Sequence, residues 1–364
     1  MHSMILSQRV YVARVVHVLL LAAMWSATAG HATAQPTTPW WERAREGHAG
    51  HYWIKTDLPP NETRELAQHL NLMYDAMAAR LGKLPQRQPE RLNVLIFHSR
   101  DDYLHTLNAR YGVDARFTGG IFFVVGDQSA LAFWTEGLPR QRVLNVLQHE
   151  AFHQFAFSRF GSNLPIWVNE GLAEFFGEAV LVGRDLVIGQ SKPRVIDAVK
   201  KAIDEGEHIP FNQIIGVSSE GWRQAMSQGR GQLQYNQAWS MVQFLIYGEG
   251  GRYQKAFEQY LWLLNDGIAS EQAFMQAFQT NDINAFEQRW KQYAREARPS
   301  SFVTALERAE FLAQGLLSLS ERGIVPQTLD ELKAQLREIK FTYTITMHGM
   351  AVVLDSADDA MFEI

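Results

Sequence analysis

Apolar positions recur at helical spacing most clearly at residues 140–160. There Val143, Leu144, Val146, Leu147, Phe152, Phe155 and Ala156 lie between Pro139, which can open a helix, and Gly161, which can end one. Upstream, residues 51–56 read as a first strand. Asn61 then caps a helix whose apolar face is Leu66, Leu70, Met73, Met77 and Leu81, and Gly82 ends it. Residues 89–97 predict a second, well-buried strand, with Leu92, Val94 and Ile96 alternating against Asn93, Leu95 and Phe97, and a short helix starts at Asp101. Residues 117–125 and 130–134, separated by Gly126-Asp127-Gln128-Ser129, predict a β-hairpin directly before the central helix. Residues 35–50 show no period and read as a loop. Beyond Gly161, Asn163 and Pro165 start another helix, and the pattern gives further helices at 194–205, 233–247, 251–264, 271–278 and 284–297. No fixed-period repeat emerges, which argues against a solenoid. Residues 301–364 offer one or two more helices and an apparent hairpin, 340–347 with 350–354, turning at His348-Gly349.

Polar residues interrupt the apolar run at 140–160 in a pattern with chemical meaning. His149-Glu150-Ala151-Phe152-His153 places two imidazoles four residues apart, one turn above each other on one helix face, where they can converge on a metal ion. Glu150 projects beside them without being forced to ligate, free to act as a general base toward water. A helix buried on nearly all sides rarely carries such a trio unpartnered, because unpaired polar groups there are costly. A catalytic zinc ordinarily has three protein ligands and one open position. The chain contains no Cys, so the third ligand must be His or a carboxylate. Sixteen residues separate His153 from Glu170, enough for the helix to finish, turn, and let a second helix bring a carboxylate alongside. The other histidines, among them His48, His51, His69, His98, His105, His208 and His348, have no motif spacing and read as surface or satisfied core residues.

Composition narrows the class. A chain of 364 residues, 46% hydrophobic, can bury one large or two smaller cores. Arg9 and Arg14 precede an apolar run at 15–25, and Ala32-Thr33-Ala34 before Gln35 reads as a signal-peptidase site, so export to the periplasm or medium with cleavage after Ala34 is expected. The apolar part is short for a membrane span, and no stable membrane insertion is expected after cleavage. Absence of Cys excludes disulfides, thiolate ligation and a Cys nucleophile. The formal charge of −5 becomes −7 once the two arginines of residues 1–34 are removed, a balance that speaks against nucleic acid or anionic lipid as partner.

His149-Glu150-x-x-His153 followed by Trp167-Val168-Asn169-Glu170-Gly171-Leu172-Ala173 resembles the gluzincin signature of thermolysin-like and aminopeptidase-like zinc metallopeptidases, especially the bacterial peptidase-MA-like families. The similarity runs in motif order over residues 120–245. It implies Zn2+ held by His149, His153 and Glu170, with Glu150 as general base. It further implies that Asn169 hydrogen-bonds a ligand His and that Glu174, one turn beyond Glu170, orients the other imidazole; a solvated surface Glu174 is the plain alternative. Gln234-Tyr235-Asn236-Gln237-Ala238-Trp239 is similar to the Tyr-x-Lys-Gly block of the aminopeptidase-like members, which implies that Tyr235 steadies an oxyanion; a buried structural Tyr fits the same pattern. Two departures stand out. The interval from His153 to Glu170 is slightly shorter than in the best-known relatives, and Gly119-Gly120-Ile121-Phe122-Phe123 occupies the place of the Gly-x-Met-Glu-Asn stretch without its acid. An endopeptidase is therefore favoured over an aminopeptidase.

The expected fold is α+β: a gluzincin core with a small mixed β-sheet and active-site helix, then a mainly helical half and a small C-terminal α+β appendage. The expected division is a signal peptide at 1–34, an N-terminal α/β part with an edge hairpin at 35–136, the metal helix and helical part at 137–300, and the appendage at 301–364. An antiparallel edge strand beside the metal would accept an extended peptide or protein substrate through its backbone, although an ordinary hairpin completing a sheet explains the same residues. The alternatives are a non-catalytic zinc-binding or scaffold protein with this fold, and a structural zinc site, which would need a fourth protein ligand. Substrate identity and oligomeric state are not written in the sequence.

Overall fold

The computed structural model describes residues 38–363 apart from 82, 87–90, 117, 183–184 and 348–349. The expected signal peptide, the helix stop at Gly82, the strand start at Pro89, Phe117 and the His348-Gly349 turn lie outside the described residues. The architecture is mixed α+β, with a small mixed sheet in a mostly helical chain.

The chain opens with α1 (Trp40–Arg43), β1 (Arg45–Ala49), β2 (Tyr52–Thr56), α2 (Pro60–Leu81), β3 (Leu92–Phe97), α3 (Arg100–Tyr111), β4 (Gly120–Val125) and β5 (Gln128–Trp134). The sheet order is β1-β2-β3-β5-β4, parallel across β2, β3 and β5 and antiparallel at both edges. Residues 45–49 correct the loop reading of 35–50. Their side chains are mostly exposed and show no apolar alternation, so only backbone pairing with β2, through a turn in which Gly50 takes φ +62°, makes them a strand. The first-strand helix cap also shifts: α2 begins at Pro60, whose missing N–H is harmless in a first turn, and Asn61 lies inside it. The β4–β5 turn is two residues, Gly126-Asp127, because Val125 pairs with Gln128; the four-residue turn expected from composition is two residues too long.

Period-2 alternation then divides the sheet between two cores. Ile54, Val94, Ile96, Leu131 and Phe133 face α2 and the long helix that follows, while Leu95, Phe97, Ile121, Phe123, Ala130 and Ala132 face Trp40, Tyr103 and Leu107. The long helix is α4 (Arg140–Phe160), entered from Pro139 and stopped at Gly161, whose φ of +57° suits a residue without Cβ. It packs on α2, β4, β5 and α5 (Ile166–Gly177), and every residue of α5 is buried.

After the short pair β6 (Val180–Val182) and β7 (Asp185–Val187) come α6 (Pro193–Asp204), α7 (Phe211–Ile214) and α8 (Ser219–Ser227). They are followed by α9 (Gly231–Gly251), broken at 248–250, then α10 (Gln254–Asn265), α11 (Ser270–Phe278) and α12 (Ile283–Glu296). The strand pair β6–β7 and the short helices α7 and α8 had no sequence counterpart, being too brief to carry a period. The C-terminal stretch holds α13 (Ser301–Ser320), α14 (Leu329–Glu338), β8 (Thr342–Met347) and β9 (Met350–Asp355), with its own apolar cluster around Phe311, Leu336 and Phe362.

The approach of α5 to α9 depends on Gly171. A Cβ there would sit 2.5 Å from the Ala238 carbonyl oxygen and 2.7 Å from Val242 Cγ2, and backbone cannot step aside as a side-chain tip can. Gly171→Ala is expected to destabilise the protein by about 1–3 kcal/mol, as overpacking does, since the clash exceeds the ~1 kcal/mol gained in helix propensity. A urea midpoint equal to or above the wild-type value would contradict this packing.

Candidate metal centre

Because α4 and α5 are both buried, the polar groups they share must satisfy one another. His149 and His153 lie on one face of α4, and the next helix brings Glu170, fully buried, over them. His149 Nε2 and His153 Nε2 are 3.0 Å apart, and Glu170 Oε2 is 3.5 Å from the first and 3.6 Å from the second. Three ligand atoms about 2.0–2.1 Å from a tetrahedral ion are separated by about 3.3–3.4 Å, so the triangle has the dimensions of a tetrahedral metal site with one vertex open. These buried residues could hold a metal ion.

Outer partners fix how the rings face. His149 Nδ1 lies 2.9 Å from Glu174 Oε1, and His153 Nδ1 lies 3.2 Å from Asn169 Oδ1. Both oxygens accept, so with a metal bound each ring would keep its proton on Nδ1 and turn the Nε2 lone pair inward, the arrangement that orients ligand imidazoles and raises their basicity. Glu174 is 6% exposed and is thus no solvated surface acid. Burial alone would lower the His149 pKa, but Glu170 and Glu174 together hold it well above the usual imidazole value. The pocket is electrostatically prepared for positive charge.

Glu150 projects from the same turn toward the sheet. Its Oε2 accepts the backbone N–H of Phe122 at 2.8 Å, an N–H on the outer edge of β4, which has no strand beyond it among the described residues. Burial raises the Glu150 pKa, with the two imidazoles acting in the opposite direction. A carboxylate whose pKa is raised this way holds a proton more readily than a surface Glu does. Tyr235 sits on α9, buried edge-on against Trp222. Burial first, and then the negative charge of Glu170 and Glu174, push its hydroxyl pKa far up, leaving a neutral donor.

Sequence reasoning missed several groups that hold this centre. The N–H of Phe122 carries no side-chain signal. Gln148 Nε2 bridges the Ala179 carbonyl oxygen at 3.0 Å and His69 Nε2 at 2.8 Å, tying α4 to α2 and to the end of α5. Arg142, two turns before His149, lines the crevice beside it. An apolar-periodicity reading passes over single polar residues on an amphipathic helix, although the seven-residue spacing from Arg142 to His149 was available as a cue.

The His69 contact predicts an acid sensitivity. To accept from Gln148 the ring must be neutral, and burial, with Arg140 second, lowers its pKa to about 4. The unfolded value is about 6.5, so the stabilisation is complete above pH 6.5 and is lost as pH falls toward 4. Its size is ~3 kcal/mol. Thermal melts between pH 4.5 and 7.5 should steepen below 6.5 for wild type and flatten in His69→Gln; parallel profiles would exclude this origin.

Among known families, a model described as a protein of unknown function (DUF1570) matches residues 144–262. The comparison with curated proteins gives no match. The matched stretch takes in all three metal-site residues, their outer partners and Tyr235, while His69, Phe122 and Arg142 lie outside it.

Proposed function

We propose that the protein is an exported, zinc-dependent metallopeptidase of gluzincin type, cleaving peptide bonds in peptides or proteins outside the cytoplasm. The observation that carries this reading is the triangle of His149 Nε2, His153 Nε2 and Glu170 Oε2, with both Nδ1 atoms engaged by Glu174 and Asn169. Two imidazoles and one carboxylate suit zinc among nitrogen- and oxygen-binding ions. Zinc bound there would supply Lewis-acid polarisation of the scissile carbonyl and lower the pKa of water.

The chain's own residues perform the remaining work. Glu150 accepts the proton of the attacking water and delivers it to the departing amine nitrogen, so that one water and one amide become an acid and an amine. The Phe122 N–H keeps that carboxylate aimed. The neutral Tyr235 hydroxyl is the candidate donor to the oxyanion developing on the carbonyl. Among the described residues β4 ends the sheet, and the edge positions beside Phe122, whose N–H is taken by Glu150, are those an extended peptide would pair with, which favours sequence-tolerant endopeptidase action. A structural zinc site would call for a fourth ligand, and the group among the described residues has three.

The test is hydrolysis of a mixed peptide library by zinc-loaded protein, read by mass spectrometry. Time-dependent new termini that disappear with a chelator and return with zinc are expected. Metal bound with no cleavage would leave a non-catalytic zinc-binding scaffold.

A further inference from the structure

Between α4, the C-terminal half of α5 and the start of β4 lies a cavity of about 40 Å³, room for one or two water-sized groups. It is lined by His149, Glu150, Glu174 and Glu178 and by one cation, Arg142. Arg142, Val146 and His149 follow one face of α4, so Arg142 lines the crevice two turns before the metal-site His149. Among the described residues that guanidinium makes no hydrogen bond or ion pair. The two acids nearest in charge are already engaged: Glu178 is held by Lys192 at 2.7 Å and by Asn145 at 3.4 Å, and Glu174 by His149 at 2.9 Å.

The direction of the crevice follows from two contacts. Gly120 lies against Val146, where an added Cβ would approach Val146 Cγ1 to 2.5 Å, and the Phe122 N–H meets Glu150. Strand β4 therefore runs past the centre in the same sense as α4. A peptide pairing antiparallel with β4 runs the other way, from Phe122 toward Gly120, and carries its C-terminal side to Val146 and Arg142. Resting on the peptidase reading above, we infer that Arg142 is a specificity-determining residue that binds a carboxylate on the C-terminal side of the scissile bond. The small cavity accepts a carboxylate and excludes a bulky side chain. The guanidinium supplies charge-assisted, potentially bidentate hydrogen bonds, and no cation-bearing substrate would be tolerated opposite it.

The carboxylate has two sources, the chain terminus or an acidic side chain, and paired peptides separate them. Binding is measured by calorimetry to zinc-loaded Glu150→Gln protein, which leaves peptides intact. One pair is acetyl-Ala-Ala-Phe-Leu as free acid and as amide; the other is acetyl-Ala-Phe-Glu-Ala-amide against its Gln counterpart. The acid member of one pair should bind roughly ten- to a hundredfold more tightly, identifying the source. Adding Arg142→Gln should erase the advantage, and adding Arg142→Lys should keep part of it. Equal binding within both pairs overturns the inference without any Arg142 variant, and so does an acid preference that survives Arg142→Gln. If no peptide binds, this inference and the peptidase reading fall together. Acid preference without hydrolysis by the Glu150-containing protein would sink the peptidase reading and leave the Arg142 assignment standing.

Discussion

Glu150→Gln is expected to keep its metal and fold while losing roughly 10²–10⁴-fold in kcat, the range spanned by removal of a general base. Gln matches Glu in size, and its amide oxygen can still accept the Phe122 N–H that now holds Glu150 Oε2 at 2.8 Å. What it cannot do is take a proton. Replacing a fully buried carboxylate with a neutral isostere also removes a desolvated charge, so stability should hold or rise. KM should change little, because the lost interaction belongs to the proton transfer and not to binding. The measurements are metal content by elemental analysis and kcat on the best library peptide. Activity within threefold of wild type would remove Glu150 from the chemistry.

Glu170→Gln should abolish metal binding while leaving the α4–α5 packing in place. Glu170 is fully buried and lies 3.5–3.6 Å from both imidazole Nε2 atoms, so the amide fills the same volume with a much weaker ligand and no charge to balance a cation. A drop in zinc affinity of more than about a hundredfold is expected, larger than the ten- to hundredfold typical of outer partners. Thermal melts give an independent reading. Zinc at a thousand times its Kd stabilises a folded site by ~4 kcal/mol, and that rise in melting temperature should vanish in Glu170→Gln. Equal zinc-induced shifts in both proteins would show that the metal sits elsewhere.

How much of this was legible beforehand differs from one element to the next. Helix α4 could be read to its ends, because Pro139 and Gly161 punctuate a strong apolar period, and α5 followed from Pro165 and its continuous apolar run. Strand β1 could not, since its side chains face solvent and only pairing with β2 makes it a strand. The two-residue hairpin turn was misjudged because Gln128 and Ser129 are polar turn-like residues whose pairing is decided across the ladder.

For the site, the sequence by itself determined the ligand types and their order. A four-residue spacing on a helix puts His149 and His153 on one face whatever surrounds them, and the absence of Cys limits the rest to nitrogen and oxygen. Only the tertiary structure decided that Glu170 closes the triangle, that Glu174 and Asn169 set the ring tautomers, and that the Phe122 N–H, Gln148 with His69, and Arg142 surround them. The reason is physical. Spacing along one helix is fixed by its own hydrogen bonds, whereas contacts between α4, α5, α2 and β4 depend on how closely the helices and sheet approach, and that distance is set by packing, by Gly171 against Ala238 and Gly120 against Val146.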